Sequence, residues 1–309
     1  MNPNPGSVAI LLSTYNGERY LTPQLHSLLG QTHHDWVLYW RDDGSTDGTA
    51  RLMRSFMATL QPDRAVALDC TGRTGSTASY MRLLRHAHSD GHAFMAFADQ
   101  DDVWLPEKLA RGVAALHRGP DAVPALYFAR QVLVDARLRR IALSARLRRP
   151  PGFPACLTQN IATGCTVLMN QALTSLVAES QVPPACLHDW WSYIVAAACG
   201  GRILPDNEPT VLYRQHEGNS IGAPPSAWRR GIAALRRGPE PFMRLLRQNV
   251  AALVDQPELL TAAAQAQLRA IAQALEGSTA VRLQVLAMPD LRRQTWAETM
   301  LFRLWFLLR

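Results

Sequence analysis

Residues 97–104, Phe97-Ala98-Asp99-Gln100-Asp101-Asp102-Val103-Trp104, join an apolar run to three carboxylates within four positions. Residues 93–98 read as a strand, which puts the acids at its carboxyl end. Like charges this close raise one another's pKa and oppose folding unless a cation compensates, and hard oxygen ligands of this kind suit magnesium or manganese. Side chains alternate along a strand, so Asp99 and Asp101 are expected on one side and Asp102 on the other. The cluster therefore reads as a two-carboxylate metal site with one spare acid.

Working outward, the same alternation of strand and helix recurs. Residues 8–13 (VAILLS) form an unbroken apolar run suited to a strand buried on both faces. Thr22-Pro23 offers a helix start, with Leu25, Leu28 and Leu29 spaced for one buried face. Residues 36–41 (WVLYWR) read as a second strand that runs into Asp42-Asp43-Gly44-Ser45-Thr46-Asp47, where Ser45 or Asp47 can cap the next helix. Residues 65–69 read as a strand, 76–88 as a helix, 93–98 as a strand and 106–117 as a helix. This βαβαβαβ order predicts an α/β fold: a doubly wound, mostly parallel sheet with helices on both faces. In such sheets ligands bind beyond the carboxyl ends of the strands. Three of those ends carry unusual chemistry, at Thr14-Tyr15-Asn16-Gly17, at Asp42-Asp43 and at Asp99 to Asp102. Asp-Gly-Ser is also an ordinary turn and cap sequence, so the reading is firmer for the third end than for the second.

Farther along, residues 125–134 and 161–170 read as strands, with a basic, proline-containing loop at 137–154 between them. His188-Asp189-Trp190-Trp191 opens a helix, and residues 210–214 (TVLYR) form a strand leading into Gln215-His216-Glu217-Gly218. Beyond residue 222 the chain turns rich in alanine, leucine and arginine at helical spacing. Two units are expected, residues 1–222 carrying the site and residues 223–309 forming a C-terminal helical region. Residues 228–237 and 300–309 combine apolar and basic side chains, as helices lying on an anionic membrane surface do, although such helices more often pack onto a core.

Composition narrows the function classes. The chain has 309 residues, 48% of them hydrophobic, which suits an enzyme-sized globular protein. No secretory leader is visible in residues 1–7 and no apolar run approaches the roughly 20 residues that span a bilayer, so a cytoplasmic protein is expected. Five cysteines without C-x-x-C spacing fit reduced thiols. The net charge is +7, and Lys108 is the sole lysine among 32 basic residues. A positive balance favours anionic partners such as a nucleotide diphosphate or anionic lipid; nucleic acid is excluded for want of any familiar recognition motif.

In order and separation, Ser13-Thr14-Tyr15-Asn16-Gly17, Arg41-Asp42-Asp43-Gly44-Ser45-Thr46-Asp47, the stretch Phe97 to Trp104, Thr163-Gly164-Cys165-Thr166, His188-Asp189-Trp190-Trp191 and Tyr213-Arg214-Gln215-His216 resemble the family 2 glycosyltransferases with the GT-A fold. The likeness covers residues 7–222 and is strongest to their rhamnosyltransferase-like bacterial branch. It implies an inverting, metal-dependent transfer of a sugar, L-rhamnose as the first guess, from a dTDP- or UDP-sugar to a hydroxyl of a growing surface polysaccharide. The acceptor it implies is a saccharide, plausibly lipid-linked at the inner face of the cell membrane. Carried over by position, Thr14, Tyr15 and Asn16 border the nucleotide base, and Asp42 or Asp43 holds base or ribose. Asp99 and Asp101 form the D-x-D pair, Asp99 facing the nucleotide as well as the metal and Asp101 touching Mn2+ or Mg2+ directly. His216 adds a metal ligand, Arg214 lies near the diphosphate and Asp189 is the catalytic base.

The branch usually carries an asparagine-glycine pair and a basic-asparagine step in the third strand-to-helix segment. This chain has Thr71-Gly72-Arg73-Thr74-Gly75 and Ser79-Tyr80 instead. Arg73 then faces either the nucleotide or the solvent. Trp190 and Trp191 offer an apolar wall for sugar rings, against their commoner use in a core. A non-catalytic nucleotide-sugar or glycan-binding module on the same fold is the alternative. A dehydrogenase or P-loop kinase is disfavoured, because the first strand is not followed by G-x-G-x-x-G or a P-loop.

Overall fold

The computed structural model describes residues 6–69, 72–216 and 238–308. Its centre is a nine-stranded sheet with the order β3-β2-β1-β4-β8-β6-β9-β5, and β7 pairs with β6 outside that path. The strands are β1 (Val8–Thr14), β2 (Trp36–Asp42), β3 (Ala65–Ala67), β4 (Phe94–Ala98), β5 (Val103–Trp104), β6 (Ala125–Val134), β7 (Arg140–Leu143), β8 (Leu168–Asn170) and β9 (Arg202–Arg214). β3, β2, β1 and β4 are parallel, as the expected βαβ order requires. β8 runs antiparallel between β4 and β6, and β6 and β9 are parallel again. Strand order reverses at β1, so the carboxyl ends of β1, β2 and β4 open together at the switch point.

Helices α1 (Glu18–Leu29), α2 (Thr49–Met57), α3 (Ser76–Ser89), α4 (Lys108–Leu116), α5 (Gln171–Glu179) and α6 (His188–Ala198) cover the sheet. α1 begins four residues before the expected Thr22, and Pro23 lies inside it. The earlier start is paid for from outside the helix: Gly17 N–H donates to Thr49 Oγ1 and Glu18 N–H to Asp47 Oδ2, which satisfies end groups that a helix otherwise leaves open. The N-cap of α2 is Gly48 rather than Ser45 or Asp47, with Asp47, one position before it, accepting the Thr49 N–H.

Three other expectations change. Residues 161–170 are not one strand: Gly164–Thr166 is a 3-10 turn, closed by Thr166 N–H and Oγ1–H to Thr163 O, and only Leu168–Asn170 joins the sheet. The basic segment 137–154 contains β7, folded back on β6 by a turn in which Asp135 Oδ1 accepts from Arg137 and Arg139 N–H. β9 starts at Arg202 rather than Thr210, and Pro209 falls where the register with β6 shifts between Ala129 and Gln131.

After residue 237 come α7 (Glu240–Val254), α8 (Ala262–Glu276), α9 (Thr279–Leu286) and α10 (Trp296–Leu308). They share one apolar cluster with the sheet: Met243, Leu246, Ile271, Phe302 and Phe306 belong to the same core as Ala9, Phe97, Leu126 and Trp191. α10 buries Phe302 and Phe306, and the Phe302 ring packs edge-on against Phe242 at 6.0 Å. The 228–237 stretch lies outside the described residues. Phe302→Ala should therefore cost about 3–5 kcal/mol in urea unfolding; a loss below about 1 kcal/mol would mean that α10 does not share the core.

Candidate active site

The site is assembled from loops that are tied to one another before any ligand arrives. After β1, Tyr15 is clamped at both backbone groups by Gln100, whose Oε1 accepts the Tyr15 N–H and whose Nε2 donates to Tyr15 O, both at 2.9 Å. A Cβ at Gly17 would displace the Gln100 amide from this clamp. Asn16, at φ 47°, accepts the Thr46 N–H and donates its own N–H to Ser45. The Arg73 guanidinium lies 4.1 Å over the Tyr15 ring, on an exposed side chain, so the residue that departs from the family pattern stands beside the first loop.

Thr14, Asp42 and Asp43 support this floor from within. Thr14 Oγ1 donates to Asp42 Oδ1 and accepts from Trp40 Nε1; Asp42 also accepts from Ser45 N–H and Oγ–H. Asp43 accepts from Arg41 Nη1 at 2.7 Å, from the Thr74 N–H and hydroxyl and from the Gly75 N–H. Burial opposes its charge, but the buried guanidinium and these donors hold its pKa below the usual carboxylate range.

The three acids after β4 separate differently from the expected alternation. The chain turns at Gln100 and Asp101, so the period of two no longer applies, and Asp102 comes back to the Asp99 side. Ligand atoms of Asp99, Asp102 and Cys165 all lie within 4.8 Å of one another. Asp99 Oδ1 accepts from the Tyr80 hydroxyl, and its pKa is pushed up to about 7 by burial and then by Asp101. Asp102 is fully buried and accepts the Arg214 N–H at 3.0 Å. Asp101 faces outward and meets His216: Nε2 lies 2.8 Å from Asp101 Oδ2, with both side chains partly exposed.

Arg214 locks the end of β9 to the acidic turn. Its Nε donates to Asp101 O at 2.6 Å and its Nη1 to Ala136 O at 2.8 Å. Sequence reading missed the platform under this corner. The Tyr20 ring packs 4.5 Å from the His216 ring and lies 4.7 Å beneath the Arg214 guanidinium. Its only signal was an aromatic residue in the first turn of a helix, visible once α1 is known to begin at Glu18.

Asp189 stands in the first turn of α6, 7% exposed, and accepts from the Gly164 N–H at 2.9 Å and from its neighbour Trp190 N–H at 2.6 Å. Burial raises its pKa to about 6 against those hydrogen bonds. It lies close enough to Asp99 to act on that carboxylate's charge. His188 stacks on Tyr80 at 3.9 Å and is held neutral by burial, its pKa lowered to about 3. The expected tryptophan wall is halved: Trp191 is fully buried with its indole N–H on Ser180 Oγ, so it serves the core. Trp190 is half-buried, fixed by its N–H to Cys156 O. The 3-10 turn explains the Thr163-Gly164-Cys165-Thr166 motif, since Gly164 backs Asp189 and Cys165 backs Asp102.

Comparison with known proteins agrees with this fold. A structure of S. aureus TarS 1–349 in complex with UDP-GlcNAc superposes with a TM-score of 0.59 at 17% identity, covering 91% of this chain and 78% of that one. That likeness shows the GT-A arrangement of sheet and helices. In sequence, the chain is 26% identical over 218 residues to the dTDP-rhamnosyl transferase RfbG of Shigella flexneri, covering 69% of this chain and 74% of the relative. It is 34% identical over 118 residues to the putative glycosyltransferase EpsE of Bacillus subtilis, covering 38% of this chain and 41% of that protein. The model of glycosyl transferase family 2 matches residues 9–174, more than half of the chain and the span that carries the clamped β1 loop and the acidic turn, and the protein belongs to that family.

Proposed function

We propose that this enzyme transfers a sugar, with L-rhamnose the first candidate, from a dTDP- or UDP-linked donor to a saccharide hydroxyl with inversion at the anomeric carbon. The observation that carries the reading is Asp189: a buried carboxylate on a helix start, with no cation paired to it among the described residues and a pKa of about 6, within electrostatic reach of the D-x-D turn. The likeness to a dTDP-rhamnosyl transferase supports the choice of sugar.

In this reading Tyr15, Asn16 and Arg73 border the base, over a floor made by Thr14, Asp42 and Asp43. The diphosphate lies against Arg214, with Asp99 beside it. Asp101 and His216, with Asp99, would hold a divalent ion. A carboxylate oxygen and an imidazole nitrogen already 2.8 Å apart form a donor set that suits Mn2+ or Mg2+. Such an ion supplies positive charge to a leaving diphosphate. Arg214 contributes a fixed guanidinium to the same developing charge, and the buried setting strengthens it: a pair worth about 1 kcal/mol at 4 Å in water is worth roughly 4 kcal/mol at an effective dielectric near 20. Asp189 takes the proton of the attacking hydroxyl as that oxygen bonds to the anomeric carbon and the donor's C–O bond breaks. Trp190 supplies the apolar edge beside it.

Residues 296–308 add a second element. No helix of the described residues is long and apolar enough to cross a membrane. α10 nevertheless exposes Trp296, Leu304 and Leu308 opposite its buried face, an arrangement that fits peripheral contact with anionic lipid and a lipid-linked acceptor.

These measurements test this function. Thermal stabilisation by UDP, dTDP or GDP should require Mn2+ and should vanish in Asp101→Ala; stabilisation that persists in that variant would remove Asp101 from the metal site. Asp189→Asn should lower kcat by about 10²–10⁴. Because a protonated Asp189 cannot accept a proton, wild-type kcat/KM should fall as pH drops through about 6; a flat profile between pH 5 and 8 would discard it as the base. Finally, the double variant Leu304→Glu/Leu308→Glu should lose sedimentation with anionic vesicles while keeping its Tm, and unchanged sedimentation would reject the membrane role.

A further inference from the structure

Tyr20 stands in the first turn of α1, partly buried, and its hydroxyl makes no hydrogen bond among the described residues. Its ring carries the contacts. The ring centre lies 4.7 Å from the guanidinium carbon of Arg214 and 4.5 Å from the centre of the His216 ring, at an interplanar angle of 34°. The Arg19 guanidinium lies 5.1 Å from the same centre. Alternate residues of an extended chain project to one side, which is how positions 214 and 216 reach a single ring. A guanidinium keeps its charge at every working pH and is drawn to an aromatic face, so this contact depends on no titrating group. The backbone beneath Tyr20 is equally fixed. Gly17 N–H donates to Thr49 Oγ1 and Glu18 N–H to Asp47 Oδ2, which sets where α1 begins and so where the ring stands.

We propose that Tyr20 is a positioning residue: its ring holds the Arg214 guanidinium and the His216 imidazole in place for the diphosphate and the divalent ion. The inference rests on the donor-site reading above. The bond between His216 Nε2 and Asp101 Oδ2 fixes one atom of the imidazole, and the plane of the ring is set by what packs on it. Groups that orient a metal ligand in this way govern affinity without touching the ion. Arg214, bonded to Asp101 O and Ala136 O, is steadied by the same aromatic face. Through the start of α1, Tyr20 thereby joins the loop after β2, which carries Asp47, to the corner at the end of β9. The loops that grip the base also set the geometry offered to the ion. The working part is the ring and not the hydroxyl, which separates this role from that of a hydrogen-bonding or proton-transferring residue.

The test compares Tyr20→Leu with Tyr20→Phe in the full chain. The readouts are Tm without ligand, MnCl2 half-saturation with UDP or dTDP in thermal-shift titrations, and the His216 ring protons by NMR in the absence of metal and nucleotide, assigned by their loss in His216→Gln. Tyr20→Leu should keep Tm within about 4 °C of wild type. It should raise the Mn2+ half-saturation by about tenfold or more, and the donor KM by more than it lowers kcat at saturating Mn2+. The His216 ring signals should move as the Tyr20 ring current is lost. Tyr20→Phe should match wild type in every readout. A Tyr20→Phe variant as impaired as Tyr20→Leu would assign the effect to the hydroxyl and overturn the proposal. A lower Tm in Tyr20→Leu with unchanged Mn2+ half-saturation and unmoved His216 signals would make Tyr20 a packing residue only and would also overturn it. Should Tyr20→Leu fail to fold, Tyr20→Met takes its place, and failure of both refutes the positioning role. A wild-type protein that answers neither Mn2+ nor any nucleotide would sink the donor-site reading, while His216 signals displaced in Tyr20→Leu and restored in Tyr20→Phe would leave the contact through which Tyr20 positions His216 standing.

Discussion

Three carboxylates at the end of one buried strand cannot stay together without positive charge, and the architecture around β4 answers that demand. Arg214 arrives from the end of β9, far along the chain from the acids, and two residues later His216 reaches Asp101. The parallel half of the sheet would hold a nucleotide-binding floor by itself. The mixed half is what delivers cations to the acids: β9 lies parallel to β6 and pairs antiparallel with β5, immediately after the acidic turn, and so brings Arg214 to Asp102. An uncompensated buried charge costs several kcal/mol, so the acids and the far strand are stable only as a set.

A second economy concerns backbone donors. The loops after β1, β2 and β3 contain tight turns whose N–H groups have no partners within regular structure, and side chains of neighbouring loops supply them. Gln100 serves Tyr15, Asp47 serves Glu18 and Thr49, and Asp43 serves Thr74 and Gly75. All of these but the Asp47–Thr49 bond cross from one loop to another, so neighbouring loops are tied together. The result is a site ordered in advance of its ligand, which reduces what binding must spend on ordering it.

What sequence could reveal follows from the range of the interactions involved. The parallel strands, the βα alternation and Asp189 at a helix start were legible, because apolar runs and helix-start residues are local signals. The beginning of α1 was not, since its end groups are satisfied by Asp47 and Thr49 from another loop. Neither was the side to which Asp102 points, because strand alternation stops where the chain turns at Gln100. β7 was concealed by its exposed, arginine-rich sequence and became a strand only through its pairing with β6. Trp191 looked like a binding wall but found Ser180 and the core, which no local pattern encodes. Lys108 stood out in the composition as the sole lysine, yet its burial depends on elements distant in the chain.

Asp43, Asp47 and Asp189 show how burial and pairing set three acids apart, and why Asp189 is the one proposed as the base. All three accept backbone N–H groups, which favour the ionised form. Asp47 is exposed, so little opposes those bonds and its pKa falls. Asp43 is buried but has the Arg41 guanidinium, and its pKa falls too. Asp189 is buried and, among the described residues, pairs with no cation, so burial outweighs its hydrogen bonds and the pKa rises to about 6. The N–H groups of Gly164 and Trp190 then do two things at once: they orient the carboxylate and keep it from rising further. A carboxylate balanced in that way is ionised at neutral pH yet more basic than an ordinary one, which is the property that proton removal from a sugar hydroxyl requires.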